Sequence, residues 1–200
     1  MERIAGIILA AGESARIGQD KSLLPWGPTT FLEHLLRQVK NSRVGLVRVV
    51  LGANVAAVQK KIQLGTAELV VNKTWQEGQL SSLIAALDSL PTGMVEAVLV
   101  CLVDHPCISS SLIRLLIDKF QQSGKLIVLP TYRGQRGHPV IFSARLFDEL
   151  RKAPLDVGAR AVVRWHADDI LEVPTEEEGV LLNINDRTAY EKILQKPPPS

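Results

Sequence analysis

The chain has 200 residues, 46% of them hydrophobic and 4% aromatic, which is enough to bury the core of one α/β domain. Its 23 basic and 21 acidic residues leave a formal net charge of +2 spread along the sequence. That balance excludes a basic stripe for nucleic acid and a polybasic membrane patch, and no apolar run reaches the roughly 18 to 20 residues of a membrane span. With no charged N-terminal region leading into a long apolar core, a cytoplasmic location is expected.

The first predicted strand, Ile4–Leu9, runs into a loop of small residues that carries one arginine and one lysine. Without bulk at Ala10, Ala11, Gly12, Ser14 and Ala15, backbone N–H groups can turn toward an anion, and Arg16 and Lys21 add charge-assisted bonds to the same oxygens. The loop is not a Walker A sequence, because five residues separate Gly12 from Gly18 and Lys21 follows only after Gln19 and Asp20. The dinucleotide pattern GxGxxG is absent too.

Strand-like and helical patterns then alternate, as they do around a parallel sheet. Strands are expected at Val47–Leu51, Glu68–Val71, Ala97–Leu102 and Leu126–Leu129, with helices at Thr30–Lys40, Val55–Gln63, Leu80–Ser89 and Ser110–Gln122. Ser109 or Ser110 caps the last of these and Gly124 ends it. After Pro130 the stretch TYRGQRGHPVIF reads as a polar turn feeding an antiparallel strand. Helices near Ala144–Arg151 and Gly158–Trp165, strands at Ile170–Val173 and Val180–Asn183, and a helix at Arg187–Gln195 follow, before a tail at Pro197–Ser200. The run Glu176 to Gly179 reads as a solvated hairpin turn.

In an open parallel sheet, ligands bind outside the carboxyl ends of the strands. Three polar loops emerge there: Ala10–Lys21, Asn72–Ser82 and Asp104-His105-Pro106. Asp104 ends the apolar run AVLVCLVD, where a carboxylate forms a turn or helix cap, or holds a hard cation through oxygen. Cys101 and Cys107 read as reduced thiols; with His105 they lack a zinc-like spacing.

Position by position, IILAAGESARIGQDKSLLPWG resembles the signature LAAGxSxRMGxxKxLLPW of the MobA-like nucleotidyltransferases, with Ile17 in place of methionine. Further matches run to about Tyr190. Asp104-His105-Pro106 falls at the family's D-x-P motif, and Asn72 with WQEGQLSSL at its N-x-x-x-x-x-G-x-x-x-S segment. Gly137-His138-Pro139 falls at its GHP motif, and Asp156 to Arg160 at its G-D-x-G-A-R motif, with Leu155 replacing the first glycine.

The resemblance implies a Rossmann-like three-layer α/β/α fold of the nucleotide-diphospho-sugar transferase type, with a mostly parallel sheet and one antiparallel strand. Residues 1–196 would form a single domain, nucleotide-binding in its N-terminal half and acceptor-binding in its C-terminal half. It implies Arg16, Lys21 and Asp104 as catalytic residues. Leu9, Ala10, Ala11, Gly12, Ser14, Lys21, Trp26, Asn72, Gly78, Ser81 and Ser82 would bind nucleotide, and Gly137, His138, Pro139, Asp156 and Arg160 the acceptor. Magnesium would be held by Asp104 and Asn185.

Ala10-Ala11-Gly12 with Leu24-Pro25-Trp26 resembles the molybdenum cofactor cytidylyltransferase branch. This implies CMP transfer from CTP to a molybdenum-bearing molybdopterin, with a molybdoenzyme or its chaperone as partner. Members of that branch commonly carry D-I-D-T-P-E-D where this chain has Asn183, Ile184, Asn185 and Asp186. An Asn carbonyl still coordinates magnesium with less charge, and Asp186 stands one position later as a substitute ligand. Two alternatives stay open: transfer with GTP or to a sugar phosphate, and a non-catalytic cofactor-binding assembly factor.

Overall fold

The computed structural model describes residues 3–14 and 17–195. The tail expected at Pro197–Ser200 lies outside them. Strand β1 (Ile4–Ala10) leads through a short ribbon of β2 (Pro25–Trp26) and β3 (Thr29–Thr30) into helix α1 (Phe31–Lys40). Then come β4 (Leu46–Leu51), α2 (Val55–Lys61), β5 (Glu68–Val71), α3 (Gln79–Asp88), β6 (Ala97–Leu102) and α4 (Ser110–Ser123). The second part holds β7 (Ile127–Tyr132), β8 (Gln135–Arg136), β9 (Val140–Ser143), α5 (Phe147–Lys152), α6 (Arg160–Trp165), β10 (Ile170–Pro174) and α7 (Arg187–Leu194).

One eight-stranded sheet carries both parts, in the order β10-β7-β9-β6-β1-β4-β5 with β8 paired to β7. β6, β1, β4 and β5 are mutually parallel, and so are β10 and β7. β9 runs antiparallel between β6 and β7, as the turn before it led us to expect.

Alternation along the central strands separates two apolar layers. On β1, Ile4, Ile8 and Ala10 face one cluster with Phe31, Leu35, Val39, Ile113 and Leu116. Ala5, Ile7 and Leu9 face the other, with Leu80, Leu83, Leu150 and Val162. The sheet is thus covered by α1 and α4 on one side and by α3, α5 and α6 on the other, giving three layers. α1 starts at a capping box, in which Thr30 accepts from the Glu33 N–H and the Glu33 carboxylate accepts from the Thr30 N–H.

Two expectations near the C-terminus are corrected. Residues 180–183 are not a strand: Glu178–Leu181 form a 3-10 turn. Their backbone is engaged from outside, since the Val180 carbonyl accepts from His138 N–H at 2.9 Å and Ile184 N–H donates to the Asp104 carbonyl at 2.8 Å. The acidic run before it is more than a solvated turn. Glu177 accepts from the Ser109 hydroxyl at 2.6 Å and from the Ser109 N–H at 3.3 Å, reinforcing the Ser109 cap of α4.

Candidate active site

β1 ends at the carboxyl edge of the sheet, and the loop that follows is held by its own polar groups. Ser14 adopts φ 59, and its hydroxyl accepts from the Lys21 N–H at 3.0 Å. Asp20 caps the 3-10 turn Lys21–Leu23 by accepting from the Ser22 N–H at 2.8 Å, and its other oxygen accepts from Asn54 Nδ2 at 2.9 Å. The loop is thereby tied to the segment after β4, where Ala53 N–H donates to the Ala11 carbonyl at 3.1 Å.

This loop borders a cleft of about 430 Å³ that opens at the strand ends. Leu9, Ala10, Ala11, Gly12, Ser14 and Lys21 line one side, Gly78 and Ser82 a second, and Asp104 and Asn185 a third. Ten of the expected site residues therefore meet at one opening. Arg16, expected beside them, lies outside the described residues, as does Ala15.

At the cleft floor the Lys21 ammonium donates to Asn185 Oδ1 at 2.9 Å and lies 3.5 Å from Asp104 Oδ2. Both charged side chains are largely shielded, with 13% and 21% of their surface exposed. The arrangement tests whether a divalent cation fits. A carboxylate and an amide oxygen already converge on one positive group, and they are hard oxygen donors of the kind magnesium takes, with further positions left to water and phosphate. The donor set fits the group. Asp186 does not join it, because its carboxylate accepts from the Ala189 N–H at 2.8 Å as the N-cap of α7; Asn183 is exposed.

Asn72 and Ser81 stand behind the cleft rather than in it. Buried Asn72 donates to the hydroxyls of Ser81 and Ser82 at 2.8 and 3.0 Å and accepts from the Thr74 N–H at 3.0 Å. Ser81 in turn donates to the Gly78 carbonyl at 2.8 Å. The network fixes the start of α3, which presents Ser82 to the cleft.

Trp26 is a correction. It is 2% exposed, packs edge-on against Phe31 at 5.7 Å and His34 at 6.2 Å, and does not line the cleft. The aromatic ring at the cleft is Trp75, and Asp20, Ser22, Gln76, Gln79 and Val103 were also missed. Trp75, Gln76 and Gln79 belong to the segment WQEGQLSSL already singled out for Gly78 and the serines, so its polar side chains were the available signal.

None of the expected acceptor residues lines this cleft, although the Leu155 carbonyl beside Asp156 comes close to Gly78 at its border. The His138 ring is 4.9 Å from that of His105, and the Nδ1 atom of each is buried without a partner. Burial first, then the charges of His105 and Arg160, push the His138 pKa down to about 3, so the ring is neutral at pH 7. Burial also lowers the His105 pKa, against the pull of Asp104. Asp156 and Arg160 are exposed, while Gly137 and Pro139 are buried.

Two glycines allow this region to close. A Cβ on Gly179 would lie 1.8 Å from the Cys107 carbonyl oxygen, and one on Gly137 would lie 2.5 Å from that of Val180. Cys101 is buried on β6, which pushes its thiol up to about 12, and no disulfide joins it to Cys107. Among the described residues no group of three His, Cys, Asp or Glu side chains could hold a metal, which sets aside a Cys101–His105–Cys107 centre. No helix among them is long and apolar enough to cross a membrane.

Comparison with known proteins agrees with this architecture. A nicotine blue oxidoreductase of Paenarthrobacter nicotinovorans is 32% identical over 186 residues, covering 88% of this chain and 90% of that protein. The molybdenum cofactor cytidylyltransferase of Escherichia coli is 29% identical, with 92% of each chain covered. A probable molybdenum cofactor guanylyltransferase of Mycolicibacterium paratuberculosis is 26% identical, with 96% of each covered. Among solved structures, Rv0371c from Mycobacterium tuberculosis H37Rv superposes with a TM-score of 0.88 at 27% identity, over 97% of this chain and 98% of that one. A manganese complex of Rv0371c gives a TM-score of 0.82 at 24% identity, over 97% and 98%. With residues 6–170 matching the MobA-like NTP transferase domain, the chain belongs to the MobA-like NTP transferase family.

Proposed function

We propose that the protein transfers CMP from CTP to a molybdopterin-type acceptor carrying molybdenum, with release of pyrophosphate. One observation carries this reading: Lys21 from the phosphate loop, Asp104 from the tip of β6 and Asn185 from the C-terminal segment converge on one point of the cleft. The small residues from Ala10 to Ser14 and the Lys21 ammonium grip the triphosphate. An acceptor phosphate oxygen attacks the α-phosphorus in line, the bond to the β-phosphate oxygen breaks, and pyrophosphate leaves. No protein nucleophile is needed, because the acceptor is already an anion at neutral pH; positioning and charge neutralisation supply the catalysis.

Asp104 and Asn185 would hold a magnesium ion, which would neutralise phosphate charge there. Neutral His138, beside exposed Arg160, offers the acceptor a hydrogen bond without adding charge. The cytidine assignment leans on Ala10-Ala11-Gly12 and on the relative named as a cytidylyltransferase. A molybdoenzyme or its chaperone receives the product.

The test is pyrophosphate release by the purified protein with magnesium, the molybdenum cofactor and each nucleoside triphosphate in turn. CTP is expected to be turned over. Release with GTP alone, or only with a sugar phosphate as acceptor, overturns the assignment.

A further inference from the structure

The Lys21 ammonium sits where a cation held by Asp104 and Asn185 would sit. It donates to Asn185 Oδ1 at 2.9 Å and lies 3.5 Å from Asp104 Oδ2, in a cleft corner where its side chain is only 13% exposed. We infer that Lys21 is an internal counter-cation that keeps the metal site closed until a triphosphate draws the ammonium away, so that metal and nucleotide bind with positive coupling. The inference rests on the reading of Asp104 and Asn185 as metal ligands.

Three observations carry it. Lys21 and Asp104 form a pair with no net charge, and Asn185 adds none. The other acid of the cleft lining, Asp20, has its two oxygens engaged by Ser22 N–H and Asn54 Nδ2, so the charge facing a divalent ion between Asp104 and Asn185 is offset by the ammonium. The Asn185 oxygen facing the corner is already taken by the ammonium, so a divalent cation has to displace it before gaining its second protein ligand. The backbone of Lys21 is fixed by Ser14 and by the turn that Asp20 caps, so only its flexible side chain has to move. The adjoining loop of small residues offers that side chain a new partner only when phosphate fills it.

A triphosphate therefore does two things at once. It recruits the ammonium and vacates the corner, and linkage requires that metal strengthen nucleotide binding by the same factor. An amide in place of a second carboxylate suits this device, because it lowers the affinity for metal alone while still supplying an oxygen ligand.

The test measures Mn2+ binding without nucleotide, read from the electron paramagnetic resonance of the free ion, in the full-length protein and its variants. Lys21→Met is expected to bind Mn2+ about ten-fold or more tightly than wild type, within the range usual for coupled sites. Lys21→Arg, which keeps the positive charge, is expected to stay within about two-fold of wild type. In the double variant Lys21→Met with Asp104→Asn the gain is expected to vanish. A melting temperature that rises with Mn2+ more steeply in Lys21→Met, or in Lys21→Gln should Lys21→Met fold poorly, supports the same conclusion. Equal Mn2+ affinity in wild type and in the Lys21→Met and Lys21→Gln variants overturns the inference but leaves the transferase reading, judged by pyrophosphate release, intact. A gain that survives Asp104→Asn overturns both the inference and the metal placement.

Discussion

Lys21 Nζ donates to Asn185 Oδ1 over 2.9 Å, a bond between side chains 164 residues apart. It ties the first loop of the chain to the segment before its last helix, with Asp104 beside it as the third member. The cleft is thus closed by residues that meet only when the whole sheet is in place.

The amide at 185 sets the charge of that corner. Asn185→Asp is expected to lower the magnesium concentration needed for half-maximal pyrophosphate release, with wild type already active. Asp104→Asn is expected to cut kcat roughly 100-fold or more, the scale on which loss of one preorganised electrostatic group is felt. A magnesium titration of the rate checks both. Turnover found only in Asn185→Asp would make the wild-type chain a nucleotide binder that does not react.

Asn72 organises the start of α3 without lining the cleft. Its amide and oxygen serve Ser81, Ser82 and Thr74, so Asn72→Ala leaves buried partners unmet and is expected to cost about 1–3 kcal/mol. Urea unfolding measures that loss. A rise in KM for the nucleotide is expected with it, since Ser82 is then no longer held.

Trp26 and Trp75 make opposite predictions. Trp26→Phe should lower stability by about 1–3 kcal/mol through lost packing and leave the KM for CTP within about two-fold. Trp75→Ala should raise that KM, because its ring borders the cleft. Steady-state kinetics beside thermal melts separates the two, and a large KM change in Trp26→Phe would return that residue to the binding site.

Gly179→Ala places a methyl group against the Cys107 backbone. Backbone is a poor absorber of such a clash, so a loss of at least about 1–3 kcal/mol is expected, together with reduced turnover as the 3-10 turn shifts away from His138 and Asp104. Melting temperature and rate, measured on one preparation, check both parts.

Two histidines set an acid limit to stability. Burial, and then the Arg37 charge, lower the His34 pKa to about 4, while His138 is lowered to about 3. Both lie below the ordinary 6.5, so in acid the unfolded chain binds protons that the folded chain refuses. Their contribution is whole above about pH 6.5 and is lost as pH falls toward 4 and 3. Between pH 6.5 and 5 each is expected to cost about 1–2 kcal/mol. Urea melts across this range measure the slope, and His34→Gln should remove its share.

Much of this architecture was readable in the residues because it follows from local rules. The aliphatic runs of β1, β4 and β6 announce central parallel strands, and strand direction alone sends Lys21, Ser82 and Asp104 to one edge. What escaped was set by distant partners. The apolar run at 180–182 has a strand's composition, yet its backbone groups are claimed by His138 and by the turn itself, while Ile184 N–H goes to Asp104. Trp26 stands in a sequence motif beside the loop, but motifs do not say which way a ring points, and here α1 takes it into the core. Glu177 looked like one charge in a solvated run until α4 brought Ser109 to it.

The position of β9 has a consequence for assembly. β7 follows β6 in sequence but cannot pair with it, because β9 occupies the place between them. The growing sheet therefore waits for a strand made later, and the edge of β6 stays open until the β7–β9 hairpin arrives to fill it. A chain halted before β9 already possesses the loop after β1 and Asp104, but not Asn185. Asn185 comes after every strand of the sheet, so a fragment ending before β9 leaves one edge of β6 unpaired and lacks the partner of Lys21.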